Sequence, residues 1–264
     1  TSEQIVTNIR NLARPSVITA TDVFYFTSWV GGAETLWVSD GTTNGTFQLL
    51  TSLTGFFTDQ ASFSERASHY VVFNDDLYFI GRSGGSQGIF KTDGTVAGTG
   101  LQIPLSDDQI LRPFSHGSAI ATTDKLFFLI GSELFSETIL LSSDGTEAGT
   151  SEIFRHRVRS NASSNFIQEG DLLYFAAGGD GDAVYLMELN LTTEEIRLSD
   201  GYVTEAFSPS DGNMKLSSIS ESEFVISIEE FQGDVKTSII QKDNLSVREV
   251  SFSGSFFRTA LLPF

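Results

Sequence analysis

The 264-residue chain contains no cysteine. That absence excludes a disulfide framework, a cysteine nucleophile and a thiolate metal site. Long apolar runs are also missing, because no segment approaches the roughly 20 residues that a transmembrane helix needs. Positive charge is scarce, since 16 Lys and Arg residues stand against 34 Asp and Glu residues and the net charge is −18. A field of that sign repels nucleic acid and anionic membranes, so we expect neither as a partner. The lack of long apolar runs predicts that no segment spans a membrane.

Catalytic motifs are equally sparse. The three histidines, His69, His116 and His156, show no metal-ligand spacing. The sequence has no G-x-S-x-G elbow, phosphate loop or dinucleotide fingerprint. We therefore expect a protein that is not an enzyme and that needs no cofactor.

A repeated turn motif organises the chain. The motif D-G-T-x-x-G-T occurs three times, starting at Asp40, Asp93 and Asp144. Of two weaker copies, one has Asn190 where the aspartate stood and the other keeps an aspartate, Asp243. The copies are about 50 residues apart, a period typical of propeller blades. An apolar, mostly aromatic segment such as L-Y-F-I at residues 77–80 precedes every copy, and no segment has sustained helical periodicity.

The repeat predicts an all-β fold, a five-bladed β-propeller of four-stranded antiparallel blades in a single domain over residues 1–264. Each blade would bury both faces against its neighbours, which explains the runs of consecutive aromatic residues. We place the blades at residues 16–50, 69–104, 117–154, 164–199 and 214–252. Their innermost strands are expected at residues 17–20, 70–73, 119–122, 165–168 and 215–218. These strands carry no carboxylate, which counts against a glycosidase because that chemistry needs paired acids near the axis.

The first copy has a recognisable sequence. T-L-W-V-S-D-G-T at residues 35–42, followed by Gly45 and Thr46, closely resembles the bacterial E-L-W-x-x-D-G-T tandem-repeat family. The segment D-L-Y-F at residues 76–79 and the pair Gly84 and Gly85 match the strand and the hairpin that precede the motif in that family. The resemblance is sharp over three units and faint over the last two. It implies a secreted or cell-surface bacterial protein with no general catalytic activity, and it implies no particular ligand.

The aspartate of the motif has a structural explanation. After a strand, Asp can accept backbone N–H bonds within its own turn, and Gly can take a positive φ. We therefore predict turns that connect the third and fourth strands of each blade and bind no ligand. The predicted turn residues are Asp40, Asp93, Asp144, Asn190 and Asp243.

One acidic loop resembles part of a calcium site. Asp180 and Asp182 lie in the sequence G-G-D-G-D at residues 178–182 but lack the remaining oxygen ligands of a complete loop. A glycine-rich hairpin is the favoured interpretation, and a structural calcium ion is the alternative that we leave open.

Two further sets of residues are candidates for ligand binding. Arg155, His156 and Arg157 belong to the only basic cluster, in a predicted loop after the third unit. We favour docking of this loop on the chain's own acidic surface, with an acidic glycan as the alternative, because Arg matches carboxylates and sulfates. The inter-blade loops share no motif, which counts against repeated sugar sites. A single sugar site remains open at Trp29, Tyr202 or Phe207.

Both chain ends have strand-like sequences, at residues 4–10 and 256–262. In the arrangement that we favour, the N-terminal strand completes the fifth blade and closes the ring. In the other, the fifth blade supplies its own fourth strand at residues 247–252, and a terminal strand recruits another chain. The residues concerned are Ile5, Val6, Ile9, Phe256, Phe257 and Leu261.

These observations lead to one preferred function. We expect a non-catalytic, secreted or cell-surface bacterial protein, a structural or adhesive module that contacts other surface proteins or copies of itself. A carbohydrate-binding lectin is the alternative, and a propeller glycosidase is the least favoured hypothesis.

Overall fold

The computed structural model describes residues 10–13, 23–30, 33–53, 70–106, 119–132, 137–157, 165–178, 184–201, 203, 213–229 and 235–250. Within these ranges the regular structure is entirely β, with twenty strands and no helix. The strands form five four-stranded antiparallel sheets. The predicted all-β class and the four-stranded antiparallel sheets are therefore confirmed.

The chain divides into two compact units, residues 1–161 and residues 162–264. The first unit contains three sheets, and in each of them the strands pair in chain order. The first sheet consists of β1 (Arg10–Ala13), β2 (Phe24–Val30), β3 (Ala33–Ser39) and β4 (Phe47–Leu53). The second consists of β5 (Tyr70–Phe73), β6 (Asp76–Ser83), β7 (Ser86–Thr92) and β8 (Gly100–Pro104). The third consists of β9 (Ala119–Ala121), β10 (Leu126–Ser132), β11 (Glu137–Ser143) and β12 (Ser151–Arg157).

The second unit contains two sheets of the same topology. The fourth sheet consists of β13 (Ile167–Glu169), β14 (Leu172–Gly178), β15 (Val184–Asn190) and β16 (Ile196–Leu198). The fifth consists of β17 (Asn213–Ser218), β18 (Glu223–Glu229), β19 (Val235–Gln241) and β20 (Val247–Val250).

The second sheet is buried on both of its faces. Along β6, Leu77 and Phe79 pack with residues of the first sheet, whereas Tyr78 and Ile80 pack with residues of the third. Successive side chains of a strand point to opposite faces, so a strand between two apolar neighbours needs an uninterrupted apolar run. This arrangement confirms, for the second sheet, the interpretation of its consecutive aromatic residues.

Two tight hairpins fix the register of the second sheet. Asn74 and Asp75 connect β5 to β6 with φ values of 51° and 66°. Gly84 and Gly85 connect β6 to β7 with φ values of 61° and 85°. Two consecutive residues with positive φ define the two-residue turn whose twist suits a hairpin, and Asn, Asp and Gly adopt it most easily.

The last strand of each sheet in the first unit has a bulge at the same place. Leu49 of β4, Gln102 of β8 and Ile153 of β12 are each an additional residue opposite an otherwise continuous third strand. Each stands three residues after the final threonine of the D-G-T-x-x-G-T motif. A bulge bends a strand and interrupts its ladder of hydrogen bonds. The pairs β15–β16 and β19–β20 have no such shift, and there the last strands are only 3 and 4 residues long.

The core of the second unit lies between the fourth and fifth sheets. Tyr174 and Leu186 of the fourth sheet pack with Leu216, Phe224 and Ile240 of the fifth. Polar contacts supplement the apolar ones. The side-chain amide of Asn165 donates to the carbonyl of Leu216 at 3.1 Å and accepts its N–H at 3.0 Å. Asn165 thus pairs with the backbone of β17 as a neighbouring strand would.

Three strand assignments need correction. The first strand of the first sheet is β1 at Arg10–Ala13, and the predicted strand at residues 17–20 lies outside the described residues. The first strand of the fourth sheet extends to Glu169, so it does carry a carboxylate. The fifth sheet is completed by β20, which pairs with β19. The favoured arrangement, in which the N-terminal strand takes that place, is therefore wrong, because residues 247–250 already form the ladder.

Truncating Phe79 tests the importance of the doubly buried sheet. This ring is 0% exposed and stacks on Phe90 with a centroid separation of 5.6 Å. We expect Phe79→Ala to lower the free energy of unfolding by about 3–5 kcal/mol, because the cavity cannot collapse between two sheets. Val96→Ala is the control, since Val96 is 60% exposed, and its effect should stay within about 0.5 kcal/mol. Denaturant titration measures both, and equal effects would contradict the assignment.

Candidate functional site

The three D-G-T turns, defined as residues 40–46, 93–99 and 144–150, share one hydrogen-bond network. In the first turn, Oδ1 of Asp40 accepts the backbone N–H of Thr42 at 2.8 Å and its hydroxyl at 2.7 Å. Asp93 and Asp144 accept the same two bonds from the threonine two residues later. This geometry is an Asx turn, in which the carboxylate takes the place of a backbone acceptor.

The threonines of the motif complete the network. The hydroxyl of Thr42 accepts the N–H of Gly45 at 3.0 Å, and the hydroxyl of Thr46 donates to the carbonyl of Thr42 at 2.6 Å. The Thr46 hydroxyl also lies 2.6 Å from the hydroxyl of Ser39, the last residue of β3. The second and third turns repeat all three contacts. The turn therefore connects the third strand of each sheet directly to the start of the fourth.

The two glycines of the motif are required for different reasons. Gly41 has a φ of +89°, in the region that side chains disfavour. At Gly45 a Cβ atom would lie 2.0 Å from Oδ1 of Asp40. The aspartate carboxylate thus packs directly on the second glycine, and any side chain there would displace it.

The first glycine of two turns also admits a tyrosine from the preceding sheet. A Cβ atom on Gly94 would lie 3.2 Å from the hydroxyl of Tyr25, and one on Gly145 would lie 2.6 Å from the hydroxyl of Tyr78. Tyr78 also donates a long hydrogen bond of 3.5 Å to the carbonyl of Gly145. The tyrosine of one sheet therefore contacts the turn of the next, and we call this arrangement the tyrosine–glycine contact. Among the described residues, none lies within 4 Å of a Cβ placed on Gly41.

Local electrostatics follow from these contacts. The side-chain hydrogen bonds from threonine, with smaller contributions from backbone N–H groups, lower the pKa of Asp40, Asp93 and Asp144. Burial raises the pKa of Tyr25 and Tyr78, and nearby aspartates raise it further. The turns consequently keep their negative charges at solvent-exposed positions, while the tyrosine hydroxyls remain neutral.

The fourth and fifth turns use asparagine. Oδ1 of Asn190 accepts the N–H groups of Thr192 and Thr193, each at 2.9 Å. In the fifth turn, Oδ1 of Asn244 accepts the N–H of Ser246 at 2.9 Å. The N–H of Gln241 donates to the carbonyl of Ser246 as that of Asn190 donates to the carbonyl of Glu195, so the two turns have the same length. Asp243, the residue that the sequence predicted for this turn, lies within it, and its role as the acceptor stays a prediction.

The basic cluster lies in β12 and not in a loop, which is a second correction. The guanidinium of Arg155 contacts the carboxylates of Glu137 at 2.5 Å and Glu152 at 2.6 Å. These contacts raise the pKa of Arg155, and Glu152 has the largest influence. The backbones of His156 and Arg157 pair with Thr138 and Glu137 in the same sheet. Arg155 is thus occupied by acidic side chains of its own sheet.

A polar cluster that the sequence did not indicate lies between the fourth and fifth sheets. The ammonium group of Lys242 is 2.6 Å from Glu169 and 2.8 Å from the hydroxyl of Ser218, and it lies 4.4 Å from the ring centre of Phe224. These contacts join side chains of the two sheets, so the cluster holds the fourth and fifth sheets together.

A second buried carboxylate belongs to the fourth sheet. Glu188 is only 5% exposed and accepts a 2.8 Å hydrogen bond from Arg197 on the neighbouring strand. Burial raises the pKa of Tyr174, and the adjacent Glu188 raises it further. Tyr174 stands where Tyr25 and Tyr78 stand in the first and second sheets, but its hydroxyl is associated with a carboxylate. The signal for this change was present in the sequence, since a glutamate interrupts the otherwise apolar segment at residues 184–189.

Several predicted site residues lie outside the described residues. These residues are Asp180, Asp182, Tyr202, Phe207, Ile5, Val6, Ile9, Phe256, Phe257 and Leu261. For Trp29 the structure describes the backbone, which pairs with Glu34 across the β2–β3 hairpin. Over the ranges that are described, no group of three or more His, Asp or Glu side chains could hold a metal ion.

Comparison with known proteins gives a likeness of fold alone. No family model matches the chain, and no curated protein matches it. A puromycin hydrolase complexed with PGG superposes with a TM-score of 0.52 at 12% identity over 90% of this chain. The apo form of prolyl oligopeptidase B from Galerina marginata superposes with a TM-score of 0.50 at 12% identity over 91% of this chain. This chain spans about a third of their length, 35% in both cases. These neighbours support a propeller-like all-β fold at a coarse level.

The described residues contain no segment that meets the requirements of a transmembrane helix. In the part of the chain that the structure describes, no helix is long and apolar enough to cross a bilayer.

Substituting the first glycine of each turn provides a graded test of the tyrosine–glycine contact. All three glycines have φ near +90°, so alanine should cost about 1–2 kcal/mol at each from backbone strain alone. We expect Gly41→Ala to lower the free energy of unfolding by little more than this amount. Gly94→Ala should lower it further and Gly145→Ala most, because a Cβ atom at position 145 would lie nearest to a tyrosine hydroxyl. Denaturant titration measures the order. Tyr78→Phe should partly relieve Gly145→Ala, and purely additive effects would contradict the contact.

Acid should weaken the D-G-T turns. The pKa values of their aspartates are lowered in the folded state. The corresponding stability is present above the unfolded pKa of about 3.9 and is lost as the pH falls through the lower folded value. Replacing Asp40, Asp93 and Asp144 by Asn keeps the acceptor oxygen but removes the titration. We expect melting temperatures measured between about pH 2 and pH 5 to fall less steeply for this variant than for the wild type. Parallel curves would show that the turns do not contribute.

Proposed function

We propose that the chain is a non-catalytic module of a secreted or cell-surface bacterial protein, in which the five sheets form the blades of one five-bladed propeller. The observation that carries this proposal is the internal use of the repeated polar groups. In each D-G-T turn, one carboxylate oxygen, both threonine hydroxyls and two backbone N–H groups bind one another. The polar groups that recur in the three turns therefore satisfy one another within each turn, which favours a structural or adhesive role.

Ring closure is supported by the aromatic side chains on the second face of the first sheet. One face of this sheet packs on the second sheet through residues such as Tyr25 and Leu36. The other carries Phe24, Phe26 and Trp37, and the rings of Phe26 and Trp37 are stacked with centroids 6.1 Å apart. Phe24 and Trp37 are only half-buried. In a ring the fifth sheet would cover this face, as sheets cover each other in propellers.

The outer strands bear on how the module contacts partners. In the first unit they are bulged, and in the fourth sheet β16 is only three residues long. Both features discourage pairing of sheet edges between chains. Contacts with other surface proteins, or with copies of itself, are therefore expected through side chains and loops. Strand exchange through the C-terminal segment at residues 256–262 stays a prediction.

The alternatives have less support. For a lectin, the ion pairs of Arg155 with Glu137 and Glu152 leave that guanidinium less suited to an acidic glycan. For an enzyme, the likeness to hydrolases concerns the fold and is too distant to transfer an activity. A structural calcium ion at Asp180 and Asp182 remains a hypothesis, and a melting temperature that falls on chelation would support it.

Cross-linking can test the closed ring, because the natural chain has no cysteine. Val225 of the fifth sheet occupies the repeat position of Tyr25 and Tyr78, and Thr43 lies in the first turn. In a closed ring, cysteines at positions 225 and 43 should be joined within one molecule by a short bis-maleimide. The matched control is a pair at Tyr78 and Glu147, which spans the equivalent interface between the second and third sheets. The closed ring would be contradicted if the control pair were cross-linked efficiently within one molecule while the pair at positions 225 and 43 gave only intermolecular products.

Function is tested separately from shape. Light scattering of the full chain and of a variant lacking residues 254–264 measures self-association, and equal masses would remove assembly through the C-terminal segment. A glycan array at several salt concentrations tests the lectin alternative. Saturable binding to one sugar class would favour that alternative over an adhesive module.

A further inference from the structure

The first D-G-T turn contains a chemically distinctive pair. Asn44 and Gly45 form the only Asn-Gly dipeptide in the sequence. Asn44 is exposed at the tip of the turn. The second and third turns have Ala97 and Ala148 at this position and make the same hydrogen bonds. The turn therefore does not need the asparagine for its own geometry.

An asparagine followed by glycine can lose its side-chain amide without an enzyme. The backbone nitrogen of Gly45 attacks Cγ of Asn44, the bond from Cγ to Nδ2 breaks, and ammonia leaves with the proton from the glycine nitrogen. Water then opens the five-membered imide at either carbonyl and yields aspartate or isoaspartate. Glycine favours ring closure because it has no side chain to obstruct the approach and the fewest conformational restrictions.

We propose that Asn44 is a site of spontaneous deamidation whose rate is controlled by opening of the first D-G-T turn. In the closed turn the nitrogen of Gly45 donates to the hydroxyl of Thr42 at 3.0 Å, and this bond must break before the nitrogen can lose its proton and attack Cγ of Asn44. The carboxylate of Asp40 packs on Gly45 and opposes the negative charge that its nitrogen acquires during attack. The reaction therefore proceeds from a locally opened turn.

The two products have different structural consequences. Aspartate at position 44 retains the normal backbone and adds one negative charge at an exposed site. Isoaspartate adds a methylene group to the main chain between Thr42 and Thr46. The hydroxyl of Thr46 then cannot keep its 2.6 Å contacts with both the Thr42 carbonyl and the Ser39 hydroxyl. Formation of isoaspartate would thus prevent the turn from closing again, which makes that opening irreversible.

The experiment incubates the full chain in neutral buffer and follows deamidation by peptide mapping with mass spectrometry. We expect modification at Asn44 and much less at Asn190 and Asn244, which precede leucine. Thr42→Val removes the hydroxyl that accepts from Gly45 and donates to Asp40. It should raise the rate at Asn44 by roughly five- to thirty-fold, as expected from the loss of two hydrogen bonds. Asn44→Ala should abolish the signal and leave the melting temperature unchanged.

A matched variant separates local opening from general destabilisation. Thr95→Val makes the same change in the second turn, which contains no Asn-Gly pair, and should leave the rate at Asn44 unaltered. If both variants accelerated deamidation of Asn44 equally, opening of the first turn would not be the step that determines its rate. Modification of Asn44 no faster than that of Asn190 would overturn the site itself. Both outcomes are independent of whether the propeller is closed or adhesive.

Discussion

The bond between an aspartate oxygen and the threonine two residues later is the constraint on which the first unit depends. Once Asp40 accepts both the N–H and the hydroxyl of Thr42, its carboxylate lies on Gly45 and leaves no room for a Cβ atom. The chain must then reverse through Gly41 at positive φ. The second and third turns repeat this geometry, and it leaves their first glycines open to Tyr25 and Tyr78. Local hydrogen bonding and packing between sheets are therefore parts of one arrangement.

Much of this could be predicted where the repeat is strong. In the second sheet, the predicted innermost strand at residues 70–73 coincides with β5, and the aromatic segment at residues 77–80 lies within β6. Gly84 and Gly85, which matched the hairpin of the repeat family, form the turn between β6 and β7 because glycine tolerates positive φ. The bulges were not predicted, because an additional residue changes the pairing of a strand without changing its composition.

Prediction failed where the sequence signal competed with a stronger neighbour. The short, polar segment of β1 was passed over for the more β-prone residues 17–20. The contact between tyrosine and glycine could have been found, since Tyr25 and Tyr78 each lie in the aromatic strand that precedes a D-G-T copy. The association of Lys242 with Glu169 could not, because it depends on which sheets are neighbours and joins residues that are 73 positions apart.

The two kinds of contact between sheets differ in how readily their sheets could be exchanged. The second sheet contains both halves of the tyrosine–glycine contact, because its Gly94 receives Tyr25 and its Tyr78 reaches Gly145, so it presents to its successor what it accepts from its predecessor. Sheets of this kind are interchangeable, and an array of them can grow or shrink by duplication without redesign. The fourth and fifth sheets recognise each other through Asn165 with Leu216 and Lys242 with Glu169, which occur once. They form a dedicated pair, and in evolutionary terms they would have to be inherited together.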